Sequence, residues 1–397
     1  MELVSLLKVG GSIKVAILIG VVSFLILQLL FPTSSPYDYY TRLSSAFLSG
    51  RICLADNPPW LNELVTIPNV GYCVVYPIAP ALLLLPFVAL SPQFSQTLGA
   101  HIFFGLSSAI VYLLFRRYKK NHVESIIFSL AWSFGTIFLS MSAVGSSWYI
   151  AQTIGACFAL LSLLVFDEKK PRSFLLTGIC ISIAAISRLP LHLYVLYFCI
   201  RLLWQYKKNW KKLLLGVALL ALGFIPLFTI QRLYNFARYK TFGDLGYYLI
   251  PGKFNEEDFK DGEFNIKNIP KHAEVLFTKL PKKIDTFPYI VPSHYGLSIF
   301  ITSPFLILAF LSLLRKKRWP ELATIGLIML LEMSHGTVGF AQFGYRFALD
   351  VYPLLFLGFT VEKKTKRFWI LFGVLLLFSV IVNLWGLLAF RNDWFIW

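Results

Sequence analysis

The side chains able to do chemistry in this chain stand at the ends of long apolar runs. Asp38 comes a few residues after the first of these, inside Ser35-Pro36-Tyr37-Asp38-Tyr39-Tyr40. A carboxylate at that depth costs free energy unless it faces water, a partner or a substrate. Its structural alternative is to cap the amphipathic stretch 41–48. Arg188 interrupts a turn in Ile186-Ser187-Arg188-Leu189-Pro190. Arg346 lies in Gln342-Phe343-Gly344-Tyr345-Arg346-Phe347, with Asp350 four residues on. That last spacing also suits a plain intrahelical ion pair. Glu332 and His335 are one helical turn apart, and His294-Tyr295-Gly296 leads back into an apolar run. Each of these groups has a structural reading as a snorkelling or paired charge. No Gly-rich phosphate loop, Ser/His/Asp arrangement or paired metal carboxylates compete with them.

The elements that must position them are membrane helices. Of 397 residues, 57% are hydrophobic and 14% charged, against about 25% charged in a soluble domain. A soluble core and a disordered chain are both excluded. The net charge of +17 does not point to nucleic acid, because the basic residues form short clusters between apolar runs, as in the cytoplasmic loops of multi-spanning proteins. A bilayer needs about 20 apolar residues per helix. Eleven runs qualify: 13–31, 97–115, 123–143, 149–166, 173–187, 191–204, 213–233, 297–314, 321–340, 348–361 and 368–390. The expected fold class is an all-α polytopic membrane protein, one transmembrane domain over 1–397. A further run, 74–90, is cut by Pro77, Pro80 and Pro86. If it lies at or dips into the outer face, the basic clusters 116–120, 169–172, 201–212, 315–318 and 363–367 fall on one side with Lys8 and Lys14. The short opposite loops 91–96 and 142–148 hold no Lys or Arg. The positive-inside rule then puts the N-terminus in the cytoplasm and the C-terminus outside. The first run is read as an uncleaved span, since no small-residue cleavage site follows it.

Two long external loops result, about 32–96 and 234–296. The first mixes aromatics, prolines and sparse charges, which suits interfacial helices with a partly re-entrant stretch at 74–90. It carries Cys53 and Cys73, in the compartment where disulfides persist; a bridge and two free thiols are the two readings. Cys157, Cys180 and Cys199 read as small core residues, and no spacing resembles a zinc site. The second loop is longer than structureless loops usually run, so short helices are expected in it, as a lid, an acceptor platform or a solvated connection. With this topology Asp38, Arg188, Glu332, His335, His294 and Arg346 share the outer face, which points to a polar site opening outward.

The order of these features resembles the GT-C glycosyltransferases, in particular the bacterial protein O-mannosyltransferase-like and lipid A aminoarabinose transferase-like branch. The matching pieces are Asp38-Tyr39-Tyr40, Gly50-Arg51, Tyr76-Pro77-Ile78-Ala79-Pro80 and Ser187-Arg188-Leu189-Pro190. Tyr234-Asn235-Phe236-Ala237-Arg238-Tyr239 with Phe242-Gly243 and Gly246-Tyr247 follows, then Gln342-Phe343-Gly344-Tyr345-Arg346. The likeness covers residues 37 to about 350. It implies a GT-C-like fold, transfer of a sugar from a polyprenyl-phosphate donor to a hydroxyl of a lipid, glycan or protein acceptor, and a bacterial inner-membrane location with the site external. The family's first-loop Asp, read as general base, maps onto Asp38, and a single carboxylate implies inversion. The donor phosphate would fall to Arg346 and Arg188, with Arg232, Arg238 and His294 behind them, because a guanidinium fork pairs with phosphate oxygens. Tyr39, Tyr40 and Tyr345 would stack on the sugar or line the lipid groove, or else serve as belt tyrosines; Glu332 and His335 complete the substrate set. Many members pair two acidic residues in the first loop, whereas Asp38 has aromatic neighbours. The large soluble C-terminal domain of some members is not expected here, the last run lying close to Trp397. No cofactor is therefore assigned, and a divalent metal lacks its paired carboxylates. The competing classes are a transporter or lipid-linked sugar flippase, which would place charges near mid-membrane, and an O-antigen ligase or polymerase, whose acid–base residue would come from a late loop.

Overall fold

The computed structural model describes residues 10–361 and 364–396; Lys8, Lys363 and Trp397 lie outside the described residues. In chain order the helices and strands are α1 (Gly10–Leu30), α2 (Tyr39–Leu48), β1 (Leu64–Ile67), β2 (Gly71–Val74), α3 (Ala79–Leu90) and α4 (Gln96–Arg117). Then come α5 (His122–Phe134), α6 (Phe138–Val144), α7 (Ser147–Val165), α8 (Pro171–Ala185), α9 (Tyr194–Tyr206) and α10 (Trp210–Tyr239). The last are α11 (Ile269–Phe277), β3 (Lys282–Lys283), β4 (Ile290–Val291), α12 (Ile299–Thr302), α13 (Leu306–Arg315), α14 (Trp319–Met333), α15 (Tyr352–Leu357) and α16 (Lys366–Asn392). The protein is a mostly helical multi-pass membrane protein. Among the described residues its strands form only two-stranded pairs.

Five helices, α1, α4, α7, α10 and α16, are long and apolar enough to cross a membrane, or six spans if α5 and α6, bent by 55°, count as one. Several of the eleven apolar runs are shorter or broken helices. Run 191–204 begins as a 3-10 turn at Leu189–Leu193, and run 297–314 divides at Ser303-Pro304. Run 321–340 stops being helical at Met333. Gly336 follows closely, and Gly339 and Ala341 take positive φ of 94° and 49°, which a helix cannot accommodate. Run 348–361 opens on a 3-10 segment, Arg346–Val351. The i,i+4 argument for Arg346 and Asp350 presumes an α-helix and does not apply there. α3, inside the proline-cut run, rises only about 18 Å, short of a bilayer core of about 30 Å.

The chain divides into two compact units. The first holds residues 1–32, 101–143 and 264–397. Its core holds a cluster of phenylalanines: Phe128 stacks on Phe115 at 4.5 Å and Phe359 at 4.9 Å and meets Phe372 edge-on at 5.2 Å between ring centres. The second unit holds 33–100 and 144–263. There α8 and α10 run backbone against backbone at Gly178 and Gly223. A Cβ on Gly223 would come 2.1 Å from the Leu175 carbonyl, so only glycine allows this approach, and Ser182 Oγ adds a bond to Phe224 O at 2.8 Å. The outer flanks of α1, α10 and α16 present leucine, valine and isoleucine outward, as lipid-facing helices do.

Candidate active site

In the second unit the chain leaves the first apolar helix and turns into α2 at Asp38. Asp38 occupies the N-cap position, yet its side chain makes no capping bond. Its Oδ1 instead accepts from Arg42 Nε at 2.7 Å, and Arg42 Nη1 reaches Asp56 at 3.5 Å. The Asp38 and Arg42 side chains remain 29% and 30% exposed. Both line a cleft of about 390 Å³ with Ser34, Ser35, Thr41 and Ser45 on one wall and 92–96 on the other.

The backbone carrying Asp38 is held on both sides by one buried side chain. Gln96, at the start of α4, accepts from Tyr40 N–H at 2.9 Å and donates to Tyr37 O at 3.0 Å and Gly145 O at 2.9 Å. Ser147 adds its hydroxyl and backbone N–H to the same Tyr37 carbonyl, at 2.9 and 3.1 Å. A buried carboxamide with its donors and acceptor satisfied leaves little freedom to the peptide it holds. Behind α2, Glu63 accepts from Tyr76 OH and from Trp148 Nε1 at 2.9 Å, and pairs with Lys253 at 3.7 Å. Tyr39 sits edge-on to Tyr76 and Trp148, and Tyr40 packs on Tyr76. Both tyrosines are buried, so their rings serve as walls of this cluster. Burial pushes the Tyr39 phenol above its ordinary range, opposed by the Glu63 backbone N–H, which donates to its oxygen at 3.0 Å. Cys53 and Cys73 form a disulfide that joins the chain after α2 to β2, beside the β1–β2 hairpin.

The arginines of this unit differ in what their guanidinium groups do. Arg188 is half-buried at the end of α8, and Gly155 on α7 leaves room for its stem, since a Cβ there would meet Arg188 Cγ at 3.3 Å. Arg232 lies over the Phe228 ring at 4.4 Å and donates to Phe242 O at 3.2 Å. It lines a small cavity with His192 and Asp244. Arg238 is 1% exposed, stacked on Tyr234 and Tyr239 at 3.9 and 4.4 Å, and bonded to Val74 O and Asn235 Oδ1. Its fork braces α10, which runs six residues beyond the expected end of the span, against the strand.

In the first unit, Tyr345 is 2% exposed and its hydroxyl meets His272 Nδ1 at 2.7 Å. His272 Nε2 meets His335 O at 2.9 Å. A carbonyl only accepts, so Nε2 carries a proton, and in the neutral imidazole Tyr345 OH donates to Nδ1. Glu332, in the last turn of α14, is buried. His335 lies past the helix end, its Nδ1 on Thr337 O at 3.0 Å. His294 is stacked between Phe340 and Phe395, and Arg346 is half-buried over Phe347.

Arg42, Gln96, Glu63 and His272 were not singled out from the sequence. Arg42 was within reach, since a cation four residues after Asp38 on a helix is an ion-pair signal. Gln96 was not, as its partners stand more than 45 residues away. Among the described residues no group of three or more His, Cys, Asp or Glu is placed to hold a metal ion.

No family model and no curated protein matches the sequence. Among solved structures the chain is similar to ArnT from Cupriavidus metallidurans, a lipid A aminoarabinose transferase whose structure was determined bound to undecaprenyl phosphate, at 13% identity and a TM-score of 0.48. The match covers 96% of this chain and 64% of ArnT, so the chain spans just under two-thirds of that protein's length.

Proposed function

We propose that the protein is a polyprenyl-phosphate-sugar-dependent glycosyltransferase, acting on an acceptor hydroxyl at the outer face of the membrane. The observation that carries this reading is the setting of Asp38. A partly open carboxylate lies in a hydroxyl-lined cleft, with a guanidinium at 2.7 Å and its backbone fixed on both sides. That is what a general base for an alcohol requires: access, a neighbour that orients the carboxylate, and little freedom to move.

In the reaction the acceptor O–H gives its proton to Asp38 while its oxygen attacks the anomeric carbon. The bond from that carbon to the phosphate oxygen breaks, and polyprenyl phosphate leaves with the electron pair. One displacement from one carboxylate inverts the anomeric centre. The departing phosphate needs positive charge, and in the second unit Arg188 and Arg232 are the groups to supply it. Arg238 has its guanidinium committed to Val74, Asn235 and two tyrosine rings. The sequence also puts forward Arg346 and His294, which belong to the first unit, as alternative phosphate ligands. The eleven-span topology with the N-terminus in the cytoplasm belongs to the same proposal and rests on the basic clusters.

The test is transfer from a panel of polyprenyl-phosphate sugars, undecaprenyl-linked first, by the purified full chain in nanodiscs. Asp38→Asn should reduce transfer by about 10²–10⁴-fold with the thermal transition unchanged. Transfer within tenfold of wild type removes Asp38 as the base. Uptake of a free solute with no transfer replaces the enzyme reading with a transporter.

A further inference from the structure

The cleft beside Asp38 is polar and poor in positive charge. Five side-chain hydroxyls line it, from Ser34, Ser35, Thr41, Ser45 and Ser95. Thr41 Oγ1 donates to Asp38 O and Ser45 Oγ to Thr41 O, both at 3.1 Å. Their protons are spent on their own helix, which leaves lone pairs for a ligand's O–H groups. The charge count is one-sided. A single guanidinium, Arg42, serves two carboxylates, Asp38 at 2.7 Å and Asp56 at 3.5 Å. A phosphate entering here would be a third anion around one cation, the opposite of what anion sites provide. An acyl chain or an apolar peptide side chain finds little either. The apolar lining is Pro92 and Phe94, and the Phe94 ring already stacks on Phe87 at 5.0 Å. The volume of about 390 Å³ lies within the range of small-molecule sites, roughly 300–1,000 Å³.

We infer that this cleft is the acceptor subsite and that it takes a neutral polyhydroxyl ligand, a sugar unit of a glycan, with one hydroxyl turned to Asp38. The inference rests on the transferase reading above and narrows its acceptor from lipid, glycan or protein to glycan. It also separates the two substrates: the donor phosphate is bound by other residues than those of this cleft.

The experiment measures how fast Asp38 is modified by a water-soluble carbodiimide and an amine, read by peptide mass spectrometry on the full chain in nanodiscs. The probes are a panel of methyl glycosides, inorganic phosphate, and glycerol as a control for non-specific effects. At least one methyl glycoside should slow Asp38 modification several-fold and saturably, while modification of the more exposed Asp56 stays unchanged. The double variant Ser45→Ala, Ser95→Ala should raise the half-protecting concentration by about tenfold. Phosphate and glycerol should give no such protection. Protection by phosphate but not by glycosides would make the cleft an anion site, and protection by neither would remove it as a ligand site. The result is independent of transfer. Glycoside protection with transfer surviving in Asp38→Asn sinks the base and keeps the subsite. Transfer lost in Asp38→Asn without glycoside protection does the reverse.

Discussion

The two units each gather buried polar groups around one reactive side chain, and they use them in opposite ways. At Asp38 the hydrogen bonds are made by the backbone: Gln96 and Ser147 hold the peptides on either side, while the carboxylate stays partly open beside Arg42. At His272 the reactive atoms themselves are consumed. Tyr345 OH fills Nδ1, His335 O takes the Nε2 proton, and both rings are buried. The first arrangement fixes a group and leaves it available. The second spends the group on holding α11 to the segments around His335 and Tyr345. Residue type does not distinguish them, since a histidine hydrogen-bonded to a tyrosine reads as catalytic in isolation. What separates them is whether the functional atoms still face a cleft.

Removing one buried hydrogen-bonding side chain from each place sharpens this contrast, and the larger effect on activity belongs to Gln96. Gln96→Met keeps the length and loses the carboxamide. The Tyr37–Tyr40 segment is then free to shift, and a misplacement of about 1 Å costs up to about 10²-fold in rate. The expected outcome is a fall in kcat of about 10–100-fold with acceptor KM changed little. Gln96→Glu keeps the acceptor for Tyr40 N–H but cannot donate to the Tyr37 carbonyl, so it should not rescue kcat. A loss confined to KM, or a thermal shift with full kcat, would reduce Gln96 to a structural residue.

Tyr345→Phe removes a hydrogen bond of similar quality and should leave transfer within about twofold of wild type. Its cost is stability, about 1–2 kcal/mol for a buried imidazole acceptor left without its donor, read as a lower melting temperature. His272→Phe should cost at least as much, and the double variant less than the sum, because the two groups share one bond. A rise in donor or acceptor KM in Tyr345→Phe would overturn the contrast and return Tyr345 to the substrate set.

This contrast also shows where the sequence was legible. Apolar runs located every long helix, and the proline-cut stretch 74–90 is a strand end followed by a 12-residue helix. Hydropathy reports transfer energy, not hydrogen-bond continuity, so it ran through the helix end at Met333 and the bend between α5 and α6. Within the site, Asp38 stood out because a lone carboxylate near an apolar run is costly. Gln96 carries no charge and sits in an unremarkable polar stretch, so nothing local marks it. Arg238 shows the converse: a conspicuous arginine in a matching segment whose guanidinium is used to pin α10 to the end of β2. Charge in a sequence signals that a partner exists, and only the fold says whether the partner is substrate or protein.

The smallest effect comes from the loop that links the two units in sequence. Glu263 is half-buried near Asp244, and burial first, then that second carboxylate, raises its pKa to about 7. In the unfolded chain it titrates near the ordinary glutamate value of about 4.3. Between these values the native state binds more protons than the unfolded state, so stability falls as pH rises through that window. This is the reverse of a salt-bridged carboxylate such as one beside an arginine. Below about pH 4 the group contributes no pH dependence, and above about pH 7 the full penalty of a buried anion beside Asp244 is present. Glu263→Gln removes the ionisation and keeps the shape. It should therefore match wild type at pH 4.5 and melt about 1–2 °C higher at pH 8, measured by differential scanning fluorimetry in the same detergent. Asp244→Asn should give a smaller gain at pH 8, since it relieves the second cause and leaves the burial. A gain of the same size at pH 4.5 would show that the substitution improves packing, and that the carboxyl at 263 does not sense its neighbour.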